Sequence, residues 1–598
     1  AIGVGVLTYA ETTTSSYTHN IGIGYYALRG TTSSTLSGIR NVAVGGYSLT
    51  ENTTGFANIG IGVNSLGNNS SGERNTSIGD DALLYNTTGS RNNAFGDNAL
   101  VYNVIGNDNT AIGKDALSSN LASNNTAVGN YALSANTSGT VNTAVGNNSL
   151  TNNTTGEGNT AMGYDALSAN TTGFTNVAIG QNTLKENTTG TNNTAVGYAA
   201  LWSNQTGNYI TAIGERALER NTVDRNTAIG HHASGYNTIG MYNTTLGIAA
   251  ARDATNINGV VALGYHAMYA QTNSGTLSDN TYSQNTAIGY YAMAGDETIL
   301  NAGIANTAVG ANALQNLRDG NHNIAIGPES LEANTDGSNN TVVGSNAMEN
   351  NTIGNNNIAL GMDALNQNIT GGANAAIGYK SLYNNTGGLY NIAIGEEALL
   401  NNTTNHNNTS IGVQSLINST GNGNTAIGHQ AGSNVSSGGN NTLIGKGANP
   451  GSGSYSNSTA IGYNATVTSS NAIQLGNSFT EVYHYGTLNS ASDRRLKEDI
   501  RETKYGLKSL LKLNPVDYRL KASGNNQIGF IAQELMEIIP EAVSGKEGDL
   551  EKGEILSVSY TSLIPILTKA IQEQQQQLEA QQILIQSLLE RLETLENK

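Results

Sequence analysis

The sequence has no cysteine and few basic residues. Without Cys in 598 residues, the chain can form neither a disulfide nor a thiolate metal site. It has 27 Lys and Arg against 44 Asp and Glu, a net charge of −17. Phosphate binding needs clustered Lys and Arg, so we expect no nucleic-acid partner. No run of 18 apolar residues occurs, so we also expect no membrane span.

Histidine is scarce as well, and it is scattered. The only adjacent pair among the eight His is His231-His232. Neighbouring residues on a strand point to opposite faces, so we expect no metal site there. No other pattern suggests a cofactor, and we expect neither a metal nor a cofactor.

What the chain does have is a short phrase, Asn-Thr-Ala-Ile-Gly, that recurs from end to end of its first 476 residues. Examples end at Gly113 and Gly428, and 27 copies of the closing glycine can be aligned between Gly24 and Gly476. Of the 26 intervals between them, 19 are 17 residues long. A fixed short period indicates stacked structural repeats.

The columns of this repeat predict a β-coil. An apolar residue, mostly Ile or Val, precedes the glycine in all 27 copies, and Leu or Met follows four residues later in 21. Seventeen residues are too few for a helical hairpin, and β-branched residues favour a short strand. Segments such as Asn153-Thr154-Thr155-Gly156 read as turns, because Asn and Gly accept positive φ. The Asn column, four residues before the glycine, is expected to hydrogen-bond between coils.

These columns also predict association between chains. One buried Ile and one buried Leu per coil would make a thin core against the chain entropy lost on folding. The small residue two before each glycine, usually Ala, would then lie on the strand face opposite the Ile. We expect that small column to admit a neighbouring chain, most simply in a trimer.

The composition changes near residue 490. Residues 492–598 hold 31 of the 71 charged residues but only 6 of the 73 Gly. We predict a repetitive β-solenoid shaft at 1–476, with irregular insertions at 265–309, and a connector at 477–491. An α/β domain at 492–563 and a coiled coil at 564–598 follow. The predicted fold class is mainly β, a parallel β-roll or β-solenoid of 17-residue coils, trimeric, with a small α/β domain and a terminal coiled coil.

The coiled coil is predicted from a heptad. One core position holds Ile564, Ile571, Leu578, Ile585 and Leu592, and the other holds Leu567, Gln574, Gln581, Leu588 and Leu595. This pattern is typical of parallel coiled coils, and Ile in one layer favours a trimer. The alternative is a single amphipathic helix packed on its own domain.

Four motifs precede the heptad. They are Ser492-Asp493-Arg494-Arg495-Leu496-Lys497-Glu498-Asp499-Ile500, Leu513-Asn514-Pro515-Val516-Asp517-Tyr518, Gly529-Phe530-Ile531-Ala532-Gln533-Glu534-Leu535 and Pro540-Glu541-Ala542-Val543. With the terminal heptad, they resemble the endosialidase-type intramolecular chaperone domain. The resemblance implies a domain that assembles three chains of a tail fibre, tailspike or other surface protein. It also implies self-cleavage before Ser492, with Ser492 as nucleophile and Lys497 as base.

The residues at this junction are compatible with that chemistry. Ser492 Oγ lies next to the carbonyl of Ala491, and no His follows His484 to serve as a base. A Ser-Lys dyad is a known variant of nucleophilic catalysis, although Lys497 must then be neutral. Desolvation or the nearby Arg494 and Arg495 would favour the neutral form. In the alternative interpretation, Lys497 only pairs with Asp or Glu. No external substrate is expected.

The repeats themselves resemble the parallel β-roll heads of trimeric autotransporter adhesins, which implies trimeric stacking but no particular receptor. The insertions at 265–309 contain Tyr265, Tyr269, Tyr282, Tyr290 and Tyr291. Tyrosines on solenoid loops favour contact with a cell-surface glycan or protein, and the alternative is a surface loop without a partner.

Three functions compete. The favoured one is a structural and adhesive fibre, extracellular, on a phage tail or a bacterial surface. A glycan-degrading tailspike would need a carboxylate pair in a groove, and none occurs at a fixed spacing. An ice-binding solenoid would need an unbroken Thr column, which is interrupted at Ile21, Val42, Ile59, Val177, Ile324 and Ile392.

Overall fold

The computed structural model describes residues 1–6, 18–30, 37–270, 283–295, 303–477, 480, 482–483, 491–521, 524–548 and 555–598. They form two compact units, Ala1–Asn374 and Ala375–Lys598. In each unit the repeat folds into coils of a parallel β-solenoid, which confirms the predicted fold class. Among the described residues, no helix is long and apolar enough to cross a membrane.

Each coil contributes one strand of three residues, and the next coil adds its strand in parallel. Strand pairing keeps the repeat in register: Thr110, Ala111 and Ile112 pair with Thr126, Ala127 and Val128. The strands of the first unit are β1 (Ile21–Ile23), β2 (Val42–Val44), β3 (Ile59–Ile61), β4 (Thr76–Ile78), β5 (Asn93–Phe95), β6 (Thr110–Ile112), β7 (Thr126–Val128), β8 (Thr143–Val145), β9 (Thr160–Met162), β10 (Val177–Ile179), β11 (Thr194–Val196), β12 (Thr211–Ile213), β13 (Thr227–Ile229), β14 (Thr244–Leu246), β15 (Val261–Leu263), β16 (Thr286–Ile288), β17 (Thr307–Val309), β18 (Ile324–Ile326), β19 (Thr341–Val343) and β20 (Ile358–Leu360).

The second unit holds further coils and then a small α/β segment. The strands of its coils are β21 (Ala375–Ile377), β22 (Ile392–Ile394), β23 (Thr409–Ile411), β24 (Thr425–Ile427), β25 (Thr442–Ile444), β26 (Asn449–Pro450), β27 (Thr459–Ile461), β28 (Thr466–Val467) and β29 (Ile473–Leu475). β26 and β28 pair with each other in parallel, apart from the main ladder.

The strand face that turns inward is the opposite of the one predicted, and this prediction was wrong. Ala111 is fully buried, whereas Ile112, just before the glycine, is 41% exposed. The same alternation recurs at Ala178 and Ile179. The physical reason is the limited space inside the coil. The mid-strand side chain packs beside the buried Leu, and in most coils that position holds only the methyl group of Ala. The predicted burial of the Leu column is confirmed, as at Leu117.

The turns also differ from the prediction. Neither Asn153 nor Gly156 has a positive φ; the left-handed residues include Leu150 (φ 50°) and Asn148 (φ 56°) instead. The repeat glycine is the position that needs glycine. Gly113 has φ 133°, and a Cβ there would lie 2.5 Å from the carbonyl oxygen of Gly129 in the next coil.

Two columns of buried asparagine link the coils, which confirms the predicted inter-coil hydrogen bonds. In one column, the backbone N–H of Asn159 donates to Oδ1 of Asn142 (2.9 Å), and Asn159 Nδ2 donates to the carbonyl of Gly173 (2.9 Å). In the other, Asn170 Nδ2 donates to Oδ1 of Asn153 (2.7 Å). The core of the solenoid therefore consists of Ala, Leu and Asn residues, and the side-chain amides of the Asn residues are hydrogen-bonded.

The α/β segment is built around a long helix. Its elements are the 3-10 turn Arg494–Leu496, α1 (Leu507–Leu510), β30 (Val516–Arg519), β31 (Asn526–Gly529), α2 (Ala532–Ile538), the 3-10 turn Pro540–Ala542, β32 (Val543–Gly545), β33 (Leu556–Val558) and α3 (Tyr560–Glu596). β30 pairs with β31, and β32 with β33, both antiparallel. The buried core consists of Leu535, Ile539, Ala542, Leu563 and Ile566.

Only the start of α3 packs on this core. Leu563, Ile566 and Ala570 are buried, whereas Ile571 is 63% exposed and Leu588 is 49% exposed. The heptad residues of the distal helix thus form an exposed apolar stripe in the single chain. The coiled coil and the domain boundaries proposed from the sequence remain predictions.

Candidate functional site

The two residues predicted to form a dyad lie together. Lys497 Nζ donates a hydrogen bond to Ser492 Oγ at 2.7 Å. They are brought together by the 3-10 turn Arg494–Leu496, in which the N–H of Lys497 donates to the carbonyl of Arg494 (3.2 Å). The arrangement places an amine next to a hydroxyl that adjoins the Ala491 carbonyl.

Asp493 caps this turn. Its Oδ1 accepts a hydrogen bond from the backbone N–H of Arg495 at 2.8 Å, and its carboxylate also accepts from the Arg495 guanidinium, with Nη2 to Oδ2 at 2.7 Å. The hydrogen bonds from the Arg495 guanidinium and backbone hold the pKa of the Asp493 carboxyl below its usual value. The pKa of Arg495 is raised by the same pair. Sequence reasoning treated Arg495 as a neighbour of Lys497 and missed its link to Asp493, although Asp just before a short helical turn is a common N-cap.

The whole junction is open to solvent. Every residue from Ala491 to Ile500 is exposed, including the apolar side chains of Leu496 (73%) and Ile500 (59%). Water therefore reaches the Ala491–Ser492 peptide bond, which hydrolysis of an ester at Ser492 would require.

The other motifs support the α/β segment rather than the dyad. Tyr560 OH accepts a hydrogen bond from the N–H of Phe530 at 3.2 Å. A Cβ at Gly529 would lie 2.2 Å from the same oxygen, so a larger residue there would displace the Tyr560 hydroxyl. Asn514 Nδ2 reaches Glu534 Oε2 at 3.4 Å, joining two of the motifs.

The Pro-Glu-Ala-Val motif contacts the segment that follows the dyad. Tyr505 OH donates to Glu541 Oε2 at 2.5 Å, and Lys504 Nζ lies 3.1 Å from Glu541 Oε1. The hydrogen bond from Tyr505, together with Lys504, lowers the pKa of Glu541 to about 2. A cleft of about 710 Å³ adjoins this network, lined among others by Tyr505, Ile539 and Pro565.

One contact of the segment carries no sequence signal that we recognised. Glu573, in the first half of α3, accepts a hydrogen bond from the N–H of Leu507 at 2.7 Å. It thereby caps the first turn of α1 from 66 residues away in the sequence. Sequence reasoning assigned Glu573 no role, because such a long-range cap has no local pattern.

The remaining candidates lie on the solenoid. His231 and His232 are in a turn rather than a strand, and their rings touch at 4.4 Å between centroids. Carboxylate oxygens of Glu329, Glu332 and Glu349 lie within 4.8 Å of one another, a cluster that the sequence did not suggest. The pKa of Glu332 is raised, mainly because its carboxyl is partly buried. The negative charges of Glu329 and Glu349 raise it further.

The tyrosines of the irregular stretch do come together. The rings of Tyr265 and Tyr290 stack at 5.4 Å, and Tyr291 meets Tyr265 edge-on at 5.6 Å. Tyr269 stacks on His266 at 4.2 Å. Tyr282 lies outside the described residues.

Residues 492–544 match the family model described as chaperone of endosialidase. A β-solenoid followed by a segment that matches this family fits a trimeric fibre-like protein. The match includes all four motifs, confirms the resemblance drawn from them, and ends before α3. No curated protein matches the chain.

Proposed function

We propose that the protein is a homotrimeric structural and adhesive fibre, extracellular, on a phage tail or a bacterial surface. Its C-terminal segment assembles the trimer and cleaves itself off before Ser492. The family match supports the assembly role. The observation that carries the trimer is the exposed apolar column along the solenoid.

That column is the one formed by the residue before each repeat glycine. Ile112, Ile179 and Ile213 are 41%, 39% and 36% exposed. Because an equivalent apolar side chain recurs from coil to coil within each unit, the column forms an apolar strip there, and such strips mark interaction surfaces. A second copy of the same strip is the occupant that matches it in length and spacing. The neighbouring chain thus covers the Ile face, rather than the Ala column proposed from the sequence.

The distal part of α3 supports the same oligomer. Ile571, Leu578 and Ile585 are 63%, 52% and 56% exposed, at heptad spacing. Three parallel helices would bury this stripe. The stripe lies on α3, C-terminal to the residues 492–544 that match the family model. Both exposed apolar surfaces would be covered by further copies of the same chain.

The trimer is tested by sedimentation equilibrium or light scattering on the full chain. The test variant carries Asp at three consecutive positions of the column, Ile112, Val128 and Val145. The matched control carries Asp at three exposed apolar positions off the column, Ile105, Leu121 and Val141. We expect trimers for the wild type and the control, and a loss of trimer for the test variant. A monomeric wild type would refute the proposal, and equal masses for both triple variants would refute the assigned face.

Self-cleavage follows from the Ser492–Lys497 pair. Neutral Lys497 takes the proton of Ser492 Oγ while Oγ attacks the carbonyl carbon of Ala491. The same proton then passes to the nitrogen of Ser492 as the C–N bond breaks, which leaves an ester between Ala491 and Ser492. Water hydrolyses the ester to a carboxylate on Ala491 and a free Ser492 hydroxyl. Lys497 is exposed in the single chain, so cover by a neighbouring chain would favour its neutral form.

The cleavage is tested on gels and by mass spectrometry of the C-terminal fragment Ser492–Lys598. Wild-type protein should release this fragment, whereas Ser492→Ala and Lys497→Met should not. Lys497→Arg keeps the charge but cannot act as a base near neutral pH, so it should also remain intact. Release of the same fragment from Ser492→Ala would exclude the dyad.

The receptor would be a cell-surface glycan or protein, contacted by the fibre in its adhesive role.

A further inference from the structure

The dyad depends on a turn that nothing in the core supports. A chain can span up to ~17 Å over five extended residues, yet Ser492 Oγ and Lys497 Nζ are 2.7 Å apart. The turn Arg494–Leu496 that closes this distance contains no buried residue. Isolated 3-10 turns are weak, so the dyad geometry must come from local polar contacts.

Nearly all of those contacts belong to Asp493. Its carbonyl accepts the N–H of Leu496 (3.0 Å) and its Oδ1 accepts the N–H of Arg495 (2.8 Å). Its carboxylate also holds the guanidinium, with Nε to Oδ1 at 3.1 Å and Nη2 to Oδ2 at 2.7 Å. The Asp493 side chain thus fixes both the backbone and the side chain of Arg495.

The pairing also determines what surrounds Lys497. A free carboxylate next to a lysine stabilises the protonated amine, which cannot act as a base. Here the charge of Asp493 is matched by Arg495 in a two-pronged ion pair, and Lys497 is directed to Ser492 instead. Arg495 therefore has two effects: it fixes the turn, and it offsets the charge of Asp493, which lies four residues before Lys497. The carboxylates of Glu498 and Asp499, which follow Lys497, are the same in every variant.

We propose that Asp493 and Arg495 are positioning residues for the self-cleavage, holding the turn that presents Lys497 to Ser492. The inference rests on the proposed self-cleavage. Loss of the Asp493 side chain should lower the population of the closed turn, and hence the cleavage rate, about threefold to thirtyfold, as expected for loss of an N-cap. Asp493→Asn keeps an oxygen for the N–H of Arg495 and should retain most of the rate.

Arg495→Ala should behave differently. The cap remains, but Asp493 is freed to stabilise protonated Lys497. The pH profile of cleavage should then shift to higher pH, with the rate recovered in alkaline buffer. A residue that only supports folding would not move the profile. Arg501→Ala is the matched control, because it removes an exposed cation that lies outside the turn.

The experiment follows cleavage of the freshly refolded full chain over time, across neutral and alkaline pH, with trimer content measured in parallel. The expected order of rates is wild type and Arg501→Ala, then Asp493→Asn, then Asp493→Ala, with an alkaline shift for Arg495→Ala but not for Arg501→Ala. If Asp493→Ala fails to assemble, the pH profile of cleavage by Arg495→Ala decides whether the pair positions the dyad.

The outcomes separate the two proposals. An uncleaved wild type, or a cleaved Ser492→Ala, would overturn the self-cleavage itself. A cleaved wild type with unchanged rate in Asp493→Ala, or with no shift in Arg495→Ala, would overturn only the positioning role.

Discussion

The backbone N–H of Asn159 donates to Oδ1 of Asn142, one coil earlier, at 2.9 Å. Asn142 is in turn bonded to the coil before it, through its own N–H to Oδ1 of Asn125 at 3.0 Å. Each asparagine therefore serves two coils at once, in a buried column where water cannot replace it. The coils of the solenoid are therefore stacked by side-chain amides as well as by the three-residue strands.

Replacement of one asparagine in this column should destabilise the fold. Asn142→Ala leaves the buried N–H of Asn159 without its acceptor. It also removes one of the two donors to the carbonyl of Gly156, which Asn153 Nδ2 still reaches at 3.0 Å. Each buried polar group left unpaired costs about 1–3 kcal/mol, so we expect a clear fall in the free energy of unfolding. Asn147→Ala, at an exposed position of the same coil, is the control. Equal denaturation curves for the two variants would contradict the assignment.

The period, the asparagine bonds and the buried Leu could be predicted because each is a column of one residue type. The inward face could not, because Ala and Ile alternate on every strand and only the width of the coil decides between them. Likewise, Leu150 at φ 50° has no sequence signal, since Leu is not a residue that favours positive φ. At the dyad, Ser492 and Lys497 were recognisable as chemistry, whereas the Asp493–Arg495 pair appears only when the turn is folded.

The limited space inside the coil can be tested with a compensating pair. One natural coil has Leu443 at the mid-strand position and Gly432 at the position of the buried Leu. A Cβ on that glycine would approach Leu443 Cδ1 to 3.0 Å. Ala144→Leu alone should overpack its coil and cost about 1–3 kcal/mol. Adding Leu133→Gly should recover part of that loss, although Leu133→Gly alone is itself destabilising.

The measurement is a double-mutant cycle of unfolding free energies. Val145→Leu, on the outward side of the same strand, should change the stability of an isolated chain much less than Ala144→Leu. If the changes in unfolding free energy of Ala144→Leu and Leu133→Gly simply added in the double variant, the two side chains would not share one space.

The left-handed Leu column predicts an unusual order of substitutions. At Leu150, φ is 50°, where β-branched residues are strongly disfavoured. Leu150→Ile should therefore cost more than the roughly 1.5 kcal/mol that bounds most volume-conserving swaps. Leu150→Met should be mild, because Met268, Met293 and Met348 occupy the same column with φ of 54°, 51° and 49°. Thermal denaturation of the two variants would show the order, and equal melting temperatures would exclude backbone strain as the cause.

The raised pKa of Glu332 predicts that the stability of the solenoid depends on pH. Its pKa is raised in the folded chain, so the folded state holds the proton more tightly than the unfolded state. Stability should therefore increase as the pH falls through the raised pKa, and the ionised carboxylate should weaken the fold at neutral pH. Glu332→Gln should raise the melting temperature at pH 7, with no gain below the usual pKa of about 4.3. Glu157→Gln, at an exposed position, should show no such pattern.

Glu541 predicts the opposite dependence for the α/β segment. The pKa of Glu541 falls to about 2 because Tyr505 and Lys504 bind the ionised carboxylate. Its contribution is thus fully present above the usual glutamic acid pKa of about 4.3 and is lost as the pH falls towards 2. Hydrogen exchange of the peptide containing Tyr505, measured in the full chain, reports on this contact. At neutral pH, Glu541→Gln should exchange faster there than wild type, and Glu537→Gln, at an exposed position of α2, should not. The difference between Glu541→Gln and wild type should shrink as the pH approaches 2 and vanish below that pH, because protonated Glu541 no longer offers Tyr505 and Lys504 a charge. A difference that persisted in acid would mean that packing around the side chain, rather than its charge, holds the segment in place.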